Sequence, residues 1–279
     1  MKGKLYVVAT PIGNLEDISF RALKTLQTVD IIAAEDTRHT LKLLNYFNIT
    51  KPLMSYYREN EKIKSQSIIK ELLKGKNVAI VSDAGTPGIS DPGEEVIKKA
   101  IENEILIIPI PGACAAINAL ICSGLSTKEF CFLGFLSTNK KEKIKKLEGN
   151  KYETKTLIIY EAPHKLIATL QEILQILGDR DICLAKEITK IHETFLRGKI
   201  SEILEANMEP KGEYIIIIDG AKQTEQEIEI ENLNKLPIQE HYAYYEKKGL
   251  DKKEIIKHVA KDRGVSKNEI YKCFVKTEM

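Results

Sequence analysis

Three loops rich in glycine and proline each follow a short apolar run and precede a helical pattern. One such loop alone is as often an ordinary connection between a strand and a helix as a ligand site. In an open α/β sheet, however, ligands bind at the carboxyl ends of the strands, and three loops at that edge favour a shared pocket. The loops are residues 9–17, 82–93 and 109–116, after the apolar runs 5–8, 78–81 and 105–108.

Strand and helix patterns alternate along most of the chain, which predicts α/β architecture. Residues 1–124 are predicted to form a doubly wound parallel-sheet domain, and residues 125–220 a second α/β domain. Residues 221–240 have no apolar periodicity and are predicted to be a linker, followed by a helical region over 241–279. The predicted strands are 5–9, 29–34, 78–82 and 105–110, then 130–135, 156–161, 182–187 and 214–219, with helices near 19–27, 38–47, 65–74, 94–103, 113–123, 140–147 and 163–177.

Two local signals at helix starts have competing interpretations. Asp91 is predicted to be the N-cap of a helix whose first residue is Pro92. Glu35, Asp36 and Arg38 follow the predicted strand 29–34, on the same sheet edge as the glycine loops. They are predicted either to contact a substrate or only to begin a capped helix.

Composition limits the class of protein. The 279 residues include 43% hydrophobic ones, enough for two cores, and no apolar run has the roughly 20 residues of a membrane helix. A cytoplasmic protein without membrane contact is the expectation. Five scattered cysteines and five single histidines predict neither disulfides nor a metal site.

The net charge of +2 conceals two basic segments. Residues 138–151 hold six lysines against two glutamates, and residues 247–276 hold ten lysines and arginines against four acids. Each segment is either a solvated surface or a contact for RNA.

The loops have no phosphate-binding signature. Neither a Gly-x4-Gly-Lys-Ser/Thr motif nor a Gly-x-Gly-x-x-Gly motif after the first strand occurs, which disfavours an NTPase and a dinucleotide enzyme. The loops can offer a ligand only main-chain groups, small side chains and the carboxylate of Asp83. These groups predict a nucleoside-like ligand that is held mainly by the backbone.

Six motifs then resemble the RNA-modifying branch of the tetrapyrrole methylase superfamily, the class III methyltransferases. The resemblance implies two α/β domains with a small C-terminal helical appendage and S-adenosyl-L-methionine bent into the cleft between the domains. It also implies methyl transfer to the ribose 2′-hydroxyl of a decoding-centre cytidine in 16S rRNA of the small ribosomal subunit, by a homodimer. The motifs are LYVVATPIGNLEDI from Leu5, AEDTR from Ala34, SDAGTPGISDPG from Ser82, PIPGA from Pro109, YEAPHK from Tyr160 and KEITK from Lys186.

Site residues follow from the same resemblance and from the chemistry of methyl transfer. An in-line displacement requires the hydroxyl oxygen to be aligned with the methyl carbon. A base is needed only as the hydroxyl proton becomes acidic late in the step. The predicted cofactor contacts are Ile12, Gly13, Asp83, Gly85, Thr86, Ala113, Cys114, Ala162 and Ile215. The catalytic candidates are Glu35, Asp36, Lys186 and Glu187, with Glu193 as a further base, and the RNA contacts are Arg38, Lys140, Lys141 and Arg197.

The chain departs from the corrin-modifying relatives in its second loop, where Ser82-Asp83-Ala84 replaces Gly-Asp-Pro. This departure favours RNA over a porphyrinoid substrate. Two alternatives stay open: methylation of a small molecule such as a porphyrinoid, and a non-catalytic ribosome-binding module.

Overall fold

A computed structural model describes residues 1–206 and 210–275, which divide into two compact units. The larger unit comprises residues 1–150 and 155–219, and the smaller comprises residues 151–154 and the chain from residue 220 onward. Among the described residues, no helix has the length and apolar character needed to cross a membrane.

The first sheet has five strands, all parallel, in the order β3-β2-β4-β1-β5. This confirms the predicted parallel sheet. The third strand was not predicted, because three residues are too few to show a periodic pattern. The strands are β1 Leu5–Val8, β2 Ile31–Ala34, β3 Leu53–Ser55, β4 Val78–Val81 and β5 Ile107–Ile110.

Apolar clusters cover both faces of this sheet, which explains why its central strands are continuously apolar. Ile80 packs in the cluster that includes Ile68 and Val96, while Ile32 packs in a cluster with Leu26 and Leu44. The helices that supply these side chains are α1 Phe20–Thr28, α2 Thr37–Tyr46, α3 Glu61–Leu73 and α4 Glu94–Glu102.

The second sheet also has five strands, in the order β6-β7-β10-β8-β9. Its first pair is parallel and the other three pairs are antiparallel. The hairpin strand β9 was not predicted, because its sequence is largely polar. The strands are β6 Phe130–Phe135, β7 Thr156–Glu161, β8 Asp181–Lys186, β9 Thr194–Lys199 and β10 Tyr214–Ile218, and the helices of this region are α6 Lys140–Glu148, α7 Leu166–Leu177 and α8 Ile200–Glu205.

Helix α5, Ala115–Ser123, packs on the second sheet although it follows the last strand of the first. Its Ala116 and Leu120 are buried in one cluster with Ile158 and Ile217. The predicted boundary after residue 124 therefore lies just beyond a helix that belongs to the core of the second sheet.

The smaller unit contains four helices among the described residues: α9 Glu225–Lys235, α10 Ile238–Lys247, α11 Lys252–Arg263 and α12 Lys267–Val275. The first of them corrects the expectation of an irregular linker over 221–240. A capping box begins it, with Thr224 Oγ1 accepting from the N–H of Glu227 at 3.2 Å and the Glu227 carboxylate accepting from the N–H of Thr224 at 2.7 Å. Leu233 is buried near its end.

A buried histidine holds the helices of the smaller unit together. His241 Nδ1 accepts from Arg263 Nε at 3.2 Å, so its Nε2–H donates to Asp262, also at 3.2 Å. Asp262 accepts a second bond from the hydroxyl of Tyr245 at 2.6 Å. Burial lowers the pKa of His241, so the neutral ring is the stable form in this network.

Candidate active site

The three glycine-rich loops meet at the carboxyl edge of the first sheet, as the sequence predicted. Thr10 and Gly85 exchange two backbone hydrogen bonds, at 2.9 and 3.1 Å. The hydroxyl of Thr86 donates to the carbonyl of Ala113 at 2.9 Å, which joins the second loop to the third. The loops therefore form one surface.

Gly85 is required where the loops approach each other. Its φ of +84° lies in the left-handed region, and a Cβ there would be 3.1 Å from Ile12 Cγ2 and 3.4 Å from the Ala113 carbonyl oxygen. The loops approach each other so closely that position 85 has room for backbone atoms only. At this position the edge of the sheet therefore presents main-chain groups to a ligand, with no side chain between them.

A first cavity of about 360 Å³ lies between this edge and the second sheet. Its walls are largely apolar, with Ile12 on one side and Ala185 and Ile215 on the other. Of the nine predicted cofactor residues, six line this cavity: Ile12, Gly85, Thr86, Cys114, Ala162 and Ile215. Gly13 and Asp83 line a neighbouring cavity, while Ala113 contributes the carbonyl that accepts from Thr86.

Tyr160 closes the first cavity on the side of the second sheet. Its hydroxyl accepts from the N–H of Ala116 at 3.0 Å, and the rings of Phe132 and Phe135 pack edge-on against it with centroids 5.1 and 5.4 Å away. Burial raises the pKa of Tyr160 to about 12, so the phenol stays neutral. The motif YEAPHK contains this residue, but nothing in the sequence alone assigns it to a cavity wall.

Glu161 lines the first cavity, and both of its carboxylate oxygens accept hydrogen bonds. One oxygen accepts from the N–H of Ala162 at 2.9 Å, and the other accepts from the hydroxyl of Thr169 at 2.6 Å. Thr169 in turn accepts from Lys143 Nζ at 2.8 Å, and Lys143 pairs with Glu172 at 2.6 Å. One lysine of the basic segment 138–151 is therefore committed to an internal network.

Glu35 and Asp36, the two acids that follow β2, line neither of the two cavities near the site. Asp83 Oδ1 accepts from the N–H of Asp36 at 2.9 Å, which ties the second loop to the end of β2. Asp36 caps α2 and binds the side chain of Arg38, which lowers the pKa of Asp36. Burial, followed by the charges of Asp91 and Asp83, raises the pKa of Glu35.

The remaining catalytic candidates lie at the end of β8. Glu187 lines the first cavity at a φ of +49°, and its carboxylate accepts from Lys190 Nζ at 3.0 Å and from the N–H of Glu213 at 2.8 Å. Burial alone would raise the pKa of Glu187, but these hydrogen bonds and the charge of Lys190 lower it. The ammonium of Lys186 lies 6.0 Å from the ring centroid of Tyr214, and Glu193 accepts from the N–H of Thr189 at 2.6 Å.

A second cavity, of about 650 Å³, adjoins the first, because Ile12, Ala84 and Glu213 line both. Four residues of α2 at helical spacing form one of its walls: His39, Lys42, Leu43 and Tyr46. Lys190 also lines this cavity. The sequence did not predict this wall, because spacing alone does not distinguish an exposed helix face from one that lines a groove.

The predicted RNA contacts have different surroundings. Lys140 and Lys141 are exposed at the start of α6, and Arg38 is exposed and paired with Asp36. Arg197 instead donates to the carbonyls of Cys122 and Ser123 at the end of α5. Its guanidinium thus satisfies the last carbonyls of a helix.

The described part of the chain has no group of three or more histidine, cysteine, aspartate or glutamate side chains placed to hold a metal ion. The polar groups at the site are backbone amides and carbonyls, single carboxylates and lysines. Such a site can bind an uncharged or cationic ligand through its main chain and apolar walls.

Comparison with known proteins gives the family. Residues 4–204 match the family described as Tetrapyrrole (Corrin/Porphyrin) Methylases. The chain belongs to this family. Among its relatives are proteins named Ribosomal RNA small subunit methyltransferase I, from Halalkalibacterium halodurans with 48% identity and from Bacillus subtilis with 47% identity. The alignments cover 98% of this chain in both cases, and 95% and 94% of the two relatives.

Solved structures of the tetrapyrrole methylase family share the fold. Uroporphyrin-III C-methyl transferase from Thermus thermophilus, complexed with S-adenyl homocysteine, has a TM-score of 0.56 and 16% identity, and the match covers 78% of this chain and 97% of that one. The expected tetrapyrrole methylase fold is therefore confirmed.

Proposed function

We propose that this protein transfers a methyl group from S-adenosyl-L-methionine to the ribose 2′-hydroxyl of a decoding-centre cytidine in 16S rRNA. The observation that carries the proposal is 48% identity to a ribosomal RNA small subunit methyltransferase I over 98% of this chain and 95% of the relative. Conservation of nearly half the residues along both proteins favours the same substrate class, RNA, over a porphyrinoid.

The first cavity suits S-adenosyl-L-methionine. The cofactor supplies an electrophilic methyl group on a cationic sulfur. Apolar walls from Ile12 and Ile215 exclude water, and the Gly85 backbone provides a surface that a Cβ would obstruct. Neutral Tyr160 adds an aromatic wall without adding a charge. These features support the six of the nine proposed cofactor contacts that line this cavity.

The second cavity suits the RNA. Its α2 wall combines the cationic side chain of Lys42 with the ring of Tyr46, which is 64% exposed. Proteins hold single-stranded RNA by stacking bases on aromatic rings and by placing cations near the phosphates. Because the two cavities adjoin, a nucleotide on this wall can direct its ribose toward the first cavity.

The direct test is incubation with labelled S-adenosyl-L-methionine and small ribosomal subunits that lack the modification, followed by nuclease mapping. Label is expected on one cytidine ribose of 16S rRNA. A parallel reaction offers a porphyrinoid in place of the subunits. RNA without label contradicts the proposed function; transfer to the porphyrinoid supports the small-molecule alternative, and absence of cofactor binding in calorimetry supports the non-catalytic one.

We also propose a homodimer. Helix α5 buries Ala116 and Leu120 but exposes apolar Ile117 and Ile121, with 63% of Ile121 accessible. An apolar helix face of this kind is suited to a second copy of the chain.

Replacement of Ile121 by lysine is expected to convert the dimer to a monomer, because the interface would then bury an unpaired charge. Sedimentation velocity measures the change. Ile63 on α3, 71% exposed, provides the matched control, and Ile63→Lys is expected to stay dimeric. A wild-type protein that sediments as a monomer contradicts the proposed assembly.

A further inference from the structure

The second glycine-rich loop leaves one carboxylate without the structural role that its sequence predicts. The sequence predicts that Asp91 caps the helix after it, but α4 begins at Glu94, and its N-cap residue Gly93 has no side chain that could cap it. Glu61 takes that role from another helix. Its Oε1 accepts from the N–H groups of Gly93 at 2.9 Å and Glu95 at 3.3 Å.

Asp91 instead lines the first cavity, together with its neighbours Ile89 and Ser90. Ser90 has a φ of +69°, a left-handed conformation that is uncommon outside glycine. The exposed Arg58 donates to the carbonyl of Ser90 at 2.8 Å and helps to hold this turn. The backbone is thus fixed in the conformation that places Asp91 at the cavity.

Three other carboxylates line the same cavity, and all three have hydrogen-bond or ionic partners. Glu161 accepts from Ala162 and Thr169, while Glu187 accepts from Lys190 and Glu213, as described above. Glu213 itself pairs with Lys190 at 2.9 Å and is 81% exposed. Within residues 1–206 and 210–275, the Asp91 carboxylate has no hydrogen-bond donor or ion pair, so its oxygens are available to a ligand.

We propose that Asp91 is the base that accepts the proton of the ribose 2′-hydroxyl during methyl transfer. The inference rests on the function proposed above. The 2′-oxygen forms a bond to the methyl carbon as the carbon–sulfur bond breaks, and the electron pair of that bond stays on sulfur. The hydroxyl proton passes to the Asp91 carboxylate, which becomes a neutral acid.

The surroundings of Asp91 suit this task. Burial, followed by the nearby charge of Asp83, raises the pKa of Asp91 to about 6, while Arg58 acts in the opposite direction. Glu35 and the hydroxyl of Tyr160 are the other titratable groups that interact electrostatically with Asp91. A carboxylate with this pKa remains ionised at neutral pH and is more basic than an ordinary aspartate. Below about pH 6 it is protonated and cannot accept the proton.

The test compares the wild-type protein with Asp91→Asn and Asp91→Glu in single-turnover methylation of unmodified small subunits. General-base catalysis typically contributes about 10²- to 10⁴-fold. Asp91→Asn is therefore expected to slow methyl transfer at least about 100-fold, with cofactor affinity by calorimetry and subunit affinity by filter binding unchanged. Asp91→Glu, which keeps a carboxylate, is expected to retain part of the rate.

The pH profile distinguishes a base from a structural residue. The wild-type rate is expected to fall below about pH 6, and this acidic limb should disappear in Asp91→Asn but persist in Asp91→Glu. An Asp91→Asn variant with wild-type rate, with the same acidic limb, or with lost cofactor binding overturns the proposal. If wild-type protein binds the cofactor but leaves the RNA unlabelled, the proposed function itself fails.

Discussion

Replacement of Gly85 by valine is expected to abolish binding of S-adenosyl-L-methionine. A β-branched residue is strained at the φ of +84° that this position adopts. Its Cβ would lie 3.1 Å from Ile12, and its methyl groups would extend further into the loops that line the first cavity. We expect the dissociation constant, measured by calorimetry, to rise at least about 100-fold, or about 2.7 kcal/mol.

Gly88 provides the control for the strain itself. It has the same φ of +84°, but a Cβ there would meet no atom within 4 Å. Both valine variants are expected to lose about 1–2 kcal/mol of stability for the left-handed backbone, measured by denaturant unfolding. Only Gly85→Val should lose the cofactor. Equal affinities in the two variants would show that the first cavity is not where the cofactor binds.

Short-range signals explain why the loops could be predicted from the sequence. The apolar runs before residues 9, 82 and 109 predict buried strands, and the glycines and prolines after them predict turns. Since all these strands are parallel, their loops had to emerge at one edge. Local pattern and sheet topology together therefore predicted the position of the pocket.

Long-range contacts explain what could not be predicted. The local sequence around Asp91 predicts an N-cap, but Glu61 reaches the same N–H groups from 32 residues away in sequence. The sequence also gives no sign that Arg197, which stays a proposed RNA contact, donates to carbonyls at the end of α5. In both cases the decisive contact joins residues that are far apart in the sequence.

The same limitation applies to the helix face that we assign to RNA. In the sequence, His39, Lys42 and Tyr46 are only polar and aromatic residues at helical spacing. The structure adds the neighbouring loops and Lys190, which convert the face into the wall of a cavity. Its function can be tested separately from that of the first cavity.

The variant Lys42→Glu/Tyr46→Ala is expected to lose most of its affinity for small ribosomal subunits while it binds S-adenosyl-L-methionine normally. Loss of base stacking alone costs about 1–3 kcal/mol per base, and reversal of the charge at Lys42 repels a phosphate. We expect at least about 10-fold weaker subunit binding in filter assays, and a salt dependence that is shallower by about one unit.

Matched controls come from exposed residues outside the cavity. Lys24→Glu on α1 makes the same charge change, and Phe20→Ala on the same helix removes an aromatic ring that is 94% exposed. If the α2 wall holds the RNA, the variant Phe20→Ala/Lys24→Glu should bind subunits much more tightly than Lys42→Glu/Tyr46→Ala. Equal losses would mean that affinity follows the overall charge of the protein rather than this wall, and the assignment of the second cavity to RNA would then be wrong. Because neither double variant alters the first cavity, cofactor binding in both reports whether the fold is intact.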